Sequence, residues 1–549
     1  MEELDLALAI LNDVIDNDVQ FSEALRKVFQ ADVSKRPMRS TVAGLVGCEL
    51  RHNLLFTYLT DSLEDLSTDE KRYLSLCLGD AYFFKRIQVD DVKAALREKL
   101  GDEKFAEAEP LIDKASDPGS YIPAEFGKSS NKYLSLRFNT PEWVLKIWEH
   151  FGYGTTYGIL KKNNRPMTTA LRVVDPLTAD GLIEKNADFR KAPVDGMVLY
   201  GGKTSVRKAE EYREGLIFQE KPATKWLIDQ YKVSEPSEIV LYNGNADSSL
   251  CKEILATYGD SIGINIGVKD LERYPDVSRM IRAKRLSNVN FFAAKPDEMD
   301  SAISRPAELV IAAPNSSNFD LIREQPDYLL HFKKDGMDAL FEEEKGTLES
   351  CAKYVAEGGT LIYLIYTISK KEGHGFVSEF LLNHPEFEFV KEEQHFPFEE
   401  LDTSFYFAVM RKKDPMAKQG VPVGFNPAIQ AAPVEQPRAF EGEEKPAEEE
   451  PEAAPEEPVE AKPEEPAEEA KPEEPAPEEV KPEAEPEPAE AAKPAEEAEA
   501  EAVPEEPKED KKEDEPAEEA SPEEEAPASS AAPIAAEKGE EPKQRESQF

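Results

Sequence analysis

Cysteine is scarce in this chain of 549 residues: the four present, Cys48, Cys77, Cys251 and Cys351, lie far apart with no C-x-x-C spacing. That excludes a disulfide framework. The six histidines do not gather beside them, so no metal site is expected. Each cysteine sits in a helical, largely apolar context, where a buried thiol is the ordinary outcome. No apolar run reaches about 18 residues, and Met1-Glu-Glu-Leu-Asp-Leu-Ala7 lacks the basic start of a signal peptide. No membrane partner is expected, and the expected location is cytoplasmic. Basic residues are also few: 66 Lys and Arg stand against 112 Asp and Glu, a formal charge of −46.

The deficit is uneven. Residues 441–549 hold 42 acidic and 11 basic residues, a net of −31 that leaves −15 for the first 440. This tail repeats pieces such as Lys471-Pro-Glu-Glu-Pro475 and almost lacks aromatic residues. It cannot bury enough apolar surface to offset an ordering entropy of about 1–2 kcal/mol per residue. The expectation for 413–549 is a disordered Pro/Glu/Ala/Lys-rich tail, either a solvated spacer or a docking arm for a protein partner.

Four segments follow from the remaining patterns. Residues 1–125 read as a helical bundle, with apolar residues at helical spacing in Leu4–Leu11 and Phe21–Phe29 and a long segment from Met38 to Leu63. Ser67-Thr-Asp-Glu70 has capping-box spacing before a further helix. Residues 111–135 read as a loop, after which Thr140 is expected to cap a helix whose first position is Pro141. Residues 126–215 read as small α+β, with strands at Thr168–Val174 and Met197–Tyr200 and a helix near Ala179–Lys185. Residues 128–233 carry 18 basic and 12 acidic residues, a positive zone in an acidic chain. A phosphate backbone would find such a zone attractive, with Arg165, Arg172, Arg190 and Lys191 as candidate contacts. A merely solvated face is the alternative.

From residue 216 to 412 strands and helices alternate, which predicts an open, mostly parallel α/β sheet of the Rossmann-like kind. Strands are expected at 239–242, 262–268, 289–292, 309–312, 360–366 and 404–410. Helices are expected at 223–232, 249–258, 277–286, 341–356 and 375–383. Ligands in such sheets bind at the carboxyl ends of strands. After the first of these strands comes Asn243-Gly-Asn-Ala-Asp-Ser-Ser249, neither G-x-G-x-x-G nor a phosphate loop. Asn243, Gly244 and Asn245 are its candidate ligand contacts. Asp270, after the second strand, is placed either to bond a ribose or to cap the turn at Leu271.

The order of these segments resembles the Sun/RsmB-type RNA methyltransferases, which make 5-methylcytosine in ribosomal RNA. The likeness runs from residue 1 to about 412. It is carried by P-E-W-V-L-K-I-W-E-H-F-G from Pro141, N-N-R-P-M-T-T-A-L-R-V from Asn163 and Gly215-Leu-Ile-Phe-Gln-Glu220. Val268-Lys-Asp-Leu271, Arg323-Glu-Gln-Pro-Asp327, Gly358-Gly-Thr-Leu-Ile-Tyr363 and His384-Pro-Glu-Phe387 continue it. The resemblance implies a NusB-like RNA-binding bundle in 1–125, S-adenosylmethionine as cofactor in 216–412, and as partner RNA, ribosomal like the family's usual target.

The departures concern chemistry. The family adds a cysteine thiolate to carbon 6 of cytosine, so that carbon 5 can attack the methyl donor. Its D-A-P-C-S sequence falls on Ala312-Ala-Pro-Asn-Ser316, so the aspartate has become Ala312 and the cysteine Asn315. Its second cysteine falls on Tyr366, and its P-G-G-K-T loop on Ala246-Asp-Ser-Ser-Leu250. The expectation is therefore an RNA-binding member of that family without catalysis. Two alternatives stand beside it: a working methyltransferase with another target atom, and an interaction scaffold acting through the acidic tail.

Overall fold

The structure, a computed structural model, describes residues 2–113, 121–165, 167–202, 204–234, 236–245, 247–259 and 261–415. The chain divides into two units, Met1–Pro446 and Ala447–Phe549, and all described residues belong to the first. The expected disordered tail lies almost wholly outside the described residues.

The first hundred residues are all helical. Helices Glu2–Asp16, Phe21–Ala31, Arg39–Asp61, Thr68–Gly79, Val89–Leu100 and Asp102–Asp113 enclose a core that includes Leu4, Leu45, Phe56, Leu74 and Phe105. The capping box forms: Ser67 accepts from the Glu70 amide while the Glu70 carboxylate takes the Ser67 amide at 2.7 Å. The expected loop at 111–135 is too long. Its first residues finish the helix that ends at Asp113, and Ser130 caps a new helix, Asn131–Phe138. Thr140 does not cap. Pro141 occupies the N-cap of Glu142–Trp148, and the Thr140 hydroxyl turns back to the Phe138 carbonyl.

The small α+β part is an antiparallel sheet of β1 (Thr169–Val173), β2 (Phe189–Lys191), β3 (Met197–Tyr200) and β4 (Ile217–Gln219), in the order β2-β3-β1-β4. Helix Ala179–Lys185 packs on it through Leu182.

The large sheet comprises β5 (Glu238–Asn243), β6 (Gly263–Val268), β7 (Val289–Ala293), β8 (Ala307–Ala313), β9 (Val355–Ile365), β10 (Phe387–His395) and β11 (Phe405–Lys412). Their order is β10-β11-β9-β8-β5-β6-β7. Strands β5 to β9 pair in parallel, and β11 runs antiparallel to both neighbours. Both faces are buried, as parallel strands require. Ile239, Leu241, Leu309 and Ile311 face helices Pro222–Gln230 and Ser249–Tyr258, while Val240, Tyr242, Val310 and Ala312 face Met337–Ala352 and Phe376–Asn383. The order of connection reverses between the parallel neighbours β5 and β8, since the chain runs outward from β5 to β6 and β7 on one side and from β8 to β9 on the other. That switch point is where a doubly wound sheet opens its crevice. No helix among the described residues is long and apolar enough to cross a membrane.

Candidate functional site

Three loops meet at the switch point, following β5, β8 and β9. The first two touch through backbone. The Gly244 amide donates to the Ala313 carbonyl at 2.8 Å, and a Cβ on Gly244 would stand 2.7 Å from the Asn315 nitrogen. Only glycine permits this approach. Asn243 does not face outward: its amide holds its own loop by donating to the Asp247 carbonyl at 2.9 Å. Asn245 is 4% exposed, and neither polar atom of its amide has a partner.

The convergence of the three loops is occupied by a lysine that sequence reasoning did not single out. The Lys221 ammonium lies 2.6 Å from Asp320 after β8, 3.7 Å from Asp247 after β5, and 4.5 Å from the centre of the Tyr366 ring after β9. Burial works against its charge, but Asp320 and Asp247 outweigh that and raise its pKa above the ordinary lysine value. Asp320 is fixed in turn by the Ser404 amide at 2.8 Å. The Tyr366 hydroxyl shares a 2.7 Å hydrogen bond with Thr224 and, being buried, has its pKa raised further from neutrality. Glu220 adjoins this group at 4% exposure. Its carboxyl lies beside Thr224, whose hydroxyl is also bonded to Tyr366. Burial first, and Glu253 next, raise the Glu220 pKa well above the usual carboxylate range.

Asn315 accepts a 2.7 Å bond from Asn318 and contributes no base. Beneath it, Ser317 gives its amide and hydroxyl to the buried Glu372, each at 2.8 Å. Asp270 accepts the Glu272 amide at 2.9 Å and so caps the turn Leu271–Arg273, with its carboxylate exposed at the end of β6. The Cys251 thiol lies against Asn243 at the end of β5, but it is fully buried and burial holds its pKa well above the ordinary thiol value. Cys351 is fully buried within a helix, and burial pushes its thiol up to about 12. Cys48 is likewise pushed up to about 12 by burial, in the helical bundle.

The residues present do not fit a sulfonium methyl donor at its reacting end. A cation already lies where the three strand ends meet, paired to the available carboxylates. Asp270 and the unpartnered Asn245 amide are the features that would suit the remainder of such a ligand.

The candidate RNA contacts separate. Arg172 is not a surface charge: its guanidinium lies 3.1 Å from the fully buried Glu253 and also bonds the Gly196 carbonyl, so charge counting misplaced it. Arg165, Arg190 and Lys191 are exposed. Arg190 lines an open cleft of about 370 Å³ with Arg207, Thr168, Thr169 and Ser205. Arg207 was missed because its neighbours gave no motif.

No family model matches the chain. It is similar to the ribosomal RNA small subunit methyltransferase B of Thermus thermophilus, 24% identical over 255 residues, covering 46% of this chain and 57% of that protein. The probable ribosomal RNA small subunit methyltransferase B of Bacillus subtilis is 34% identical over 275 residues, covering 46% and 58%. The chain thus spans little more than half the length of the curated relatives it matches. Among solved structures, the crystal structure of PH0851 shares the fold, with a TM-score of 0.58 at 16% identity over 74% of this chain and 99% of that one. The chain is a family-level match to the Sun/RsmB-type ribosomal RNA methyltransferases.

Proposed function

We propose that this chain binds RNA, ribosomal RNA in keeping with its relatives, and does not methylate cytosine. The observation that carries the second half is Lys221 at the meeting of the three strand ends, where a methyl donor and a thiolate would have to meet. Two independent losses are involved, the nucleophile and the donor's place. Tyr366→Cys is therefore expected to restore no methylation, and neither is Asn315→Cys. The assay follows labelled methyl transfer from S-adenosylmethionine to ribosomal RNA fragments. 5-Methylcytosine formed by the wild type would refute the reading, and activity appearing only in Tyr366→Cys would mean the donor binds after all.

The RNA half is supported by the positive zone and by the Arg190–Arg207 cleft. Binding should weaken with salt, each phosphate contact adding roughly −0.7 to the log–log slope on single strands. Reversing Arg190, Lys191 and Arg207 to glutamate together is expected to weaken all RNAs alike and flatten that slope. Unchanged affinity and slope would reduce the cleft to a solvated face.

A further inference from the structure

Exposed aromatic rings gather on one surface near the carboxyl end of the large sheet. Tyr153 and Tyr157, 54% and 38% exposed, stand one turn apart on helix Tyr153–Asn163 with ring centres 6.0 Å apart at 21°. Phe138 meets Tyr157 edge-on at 5.5 Å, and the Arg137 guanidinium lies 6.0 Å from the Phe138 ring. Phe398, 44% exposed, rests on Gly158, where a Cβ would come within 2.9 Å of its ring. Phe398 stacks on Phe396 at 5.5 Å, Phe396 meets Phe151 at 5.3 Å, and the Lys370 ammonium sits 5.4 Å from the Phe151 ring. The result is a run of rings with a cation at each end.

A single exposed aromatic residue needs no explanation, but a grouped set does. This set is held firmly from below. Ile159, Leu160 and Trp148 are fully buried against Phe319 and Ile368, which follow β8 and β9. The rings therefore stand on the same loops that frame the switch point. Nearby acids are engaged: Asp402 pairs with Lys162 and Arg323, and Glu399 takes the Phe396 amide and faces His395. Glu400 is exposed at the edge.

We propose that this surface is a stacking platform for unpaired RNA bases, with Arg137 and Lys370 meeting the flanking phosphates. The proposal rests on the RNA-binding reading above. Every base offers a π-face to an exposed ring, and cations beside the rings suit a polyanion rather than an apolar protein partner. A base pair inside a duplex keeps its faces covered, so the platform selects single strands.

The test uses the full chain, a short oligouridine and an RNA duplex, with affinity read by fluorescence anisotropy and self-association by sedimentation. Tyr153→Ala/Tyr157→Ala is expected to lose roughly ten- to hundredfold in affinity for the single strand, as removal of stacked bases does. Duplex affinity should hardly move, and Tyr153→Phe/Tyr157→Phe, which keeps both rings, should bind like the wild type. If the wild type binds oligouridine and the alanine pair binds it equally well, the platform is wrong while RNA binding stands. A wild type that binds neither RNA overturns both. Loss of a dimer in the alanine pair with unchanged RNA affinity would identify a self-association surface and likewise overturn the platform.

Discussion

Lys221→Met is expected to lower the stability of the folded unit by about 3–5 kcal/mol, the usual consequence of leaving a buried charge without its partner. Lys221 joins segments distant in sequence: Asp247, Asp320 and Tyr366 all converge on it. Removing the ammonium leaves Asp320 facing an apolar wall, and the Ser404 amide satisfies only one of its oxygens. The double variant Lys221→Met/Asp320→Asn should recover much of the loss. The asparagine oxygen can still accept from Ser404, and no carboxylate is left unpaired there, although Asp247 keeps its more distant charge. Urea unfolding of wild type, both single variants and the double variant gives the coupling. A single-variant loss under about 1 kcal/mol would show that water already reaches the ammonium, as at an exposed pair.

The doubly wound sheet was legible because each strand of β5 to β9 is a short apolar run between helical periods, and all of them form. The edge strand β10 was not. Phe387-Glu-Phe-Val-Lys-Glu-Glu-Gln-His395 carries charges at Glu388, Lys391, Glu392 and Glu393, and its outward face obscures the pattern. Charged side chains on an edge strand deter pairing with other chains, so the feature that hid the strand is one that edges commonly have. Strands β2 and β4 have three residues each and give no periodicity.

The site was legible only in part. Ala312, Asn315 and Tyr366, singled out through the resemblance, lie at the ends of β8 and β9 that the fold brings together. Lys221 was invisible, since a lysine before the proline that opens a helix looks like an ordinary surface residue. Its partners become neighbours only in three dimensions. Arg172 failed for the converse reason. A formal charge count treats every arginine as available, whereas β1 turns this one toward Glu253. The exposed rings of Tyr153 and Tyr157 were equally hidden, because at helical spacing they look like a core face.

The folded unit is expected to lose stability as pH rises from about 6 to 9, because buried carboxyl groups within it keep their protons. Burial, and then Glu372, push Glu344 up to about 11; its Oε2 takes the Tyr363 hydroxyl at 3.1 Å while Oε1 has no partner. Burial pushes Glu49 up to about 7 and Glu220 well above the carboxylate range. Between the ordinary value of 4.5 and the folded value, each binds more proton in the folded state than in the unfolded one. Unfolding then becomes easier as pH rises, by up to about 1.4 kcal/mol per pH unit for each group. Glu49 contributes only to about 7, whereas Glu344 continues to about 11, and Glu220 adds in the same direction. His52 acts in the opposite sense: burial drops it to about 3, so stability is lost as pH falls below 6.5. Between 4.5 and 6.5 the three carboxyl groups outweigh the one imidazole, so His52 moderates the alkaline fall without reversing it. Thermal midpoints across this range should fall toward the alkaline side, and Glu344→Gln and Glu220→Gln should each flatten the fall, since glutamine preserves the shape and carries no proton to lose. A midpoint that holds steady or rises to pH 9 would mean that these carboxyl groups are ionised and paired in the folded protein.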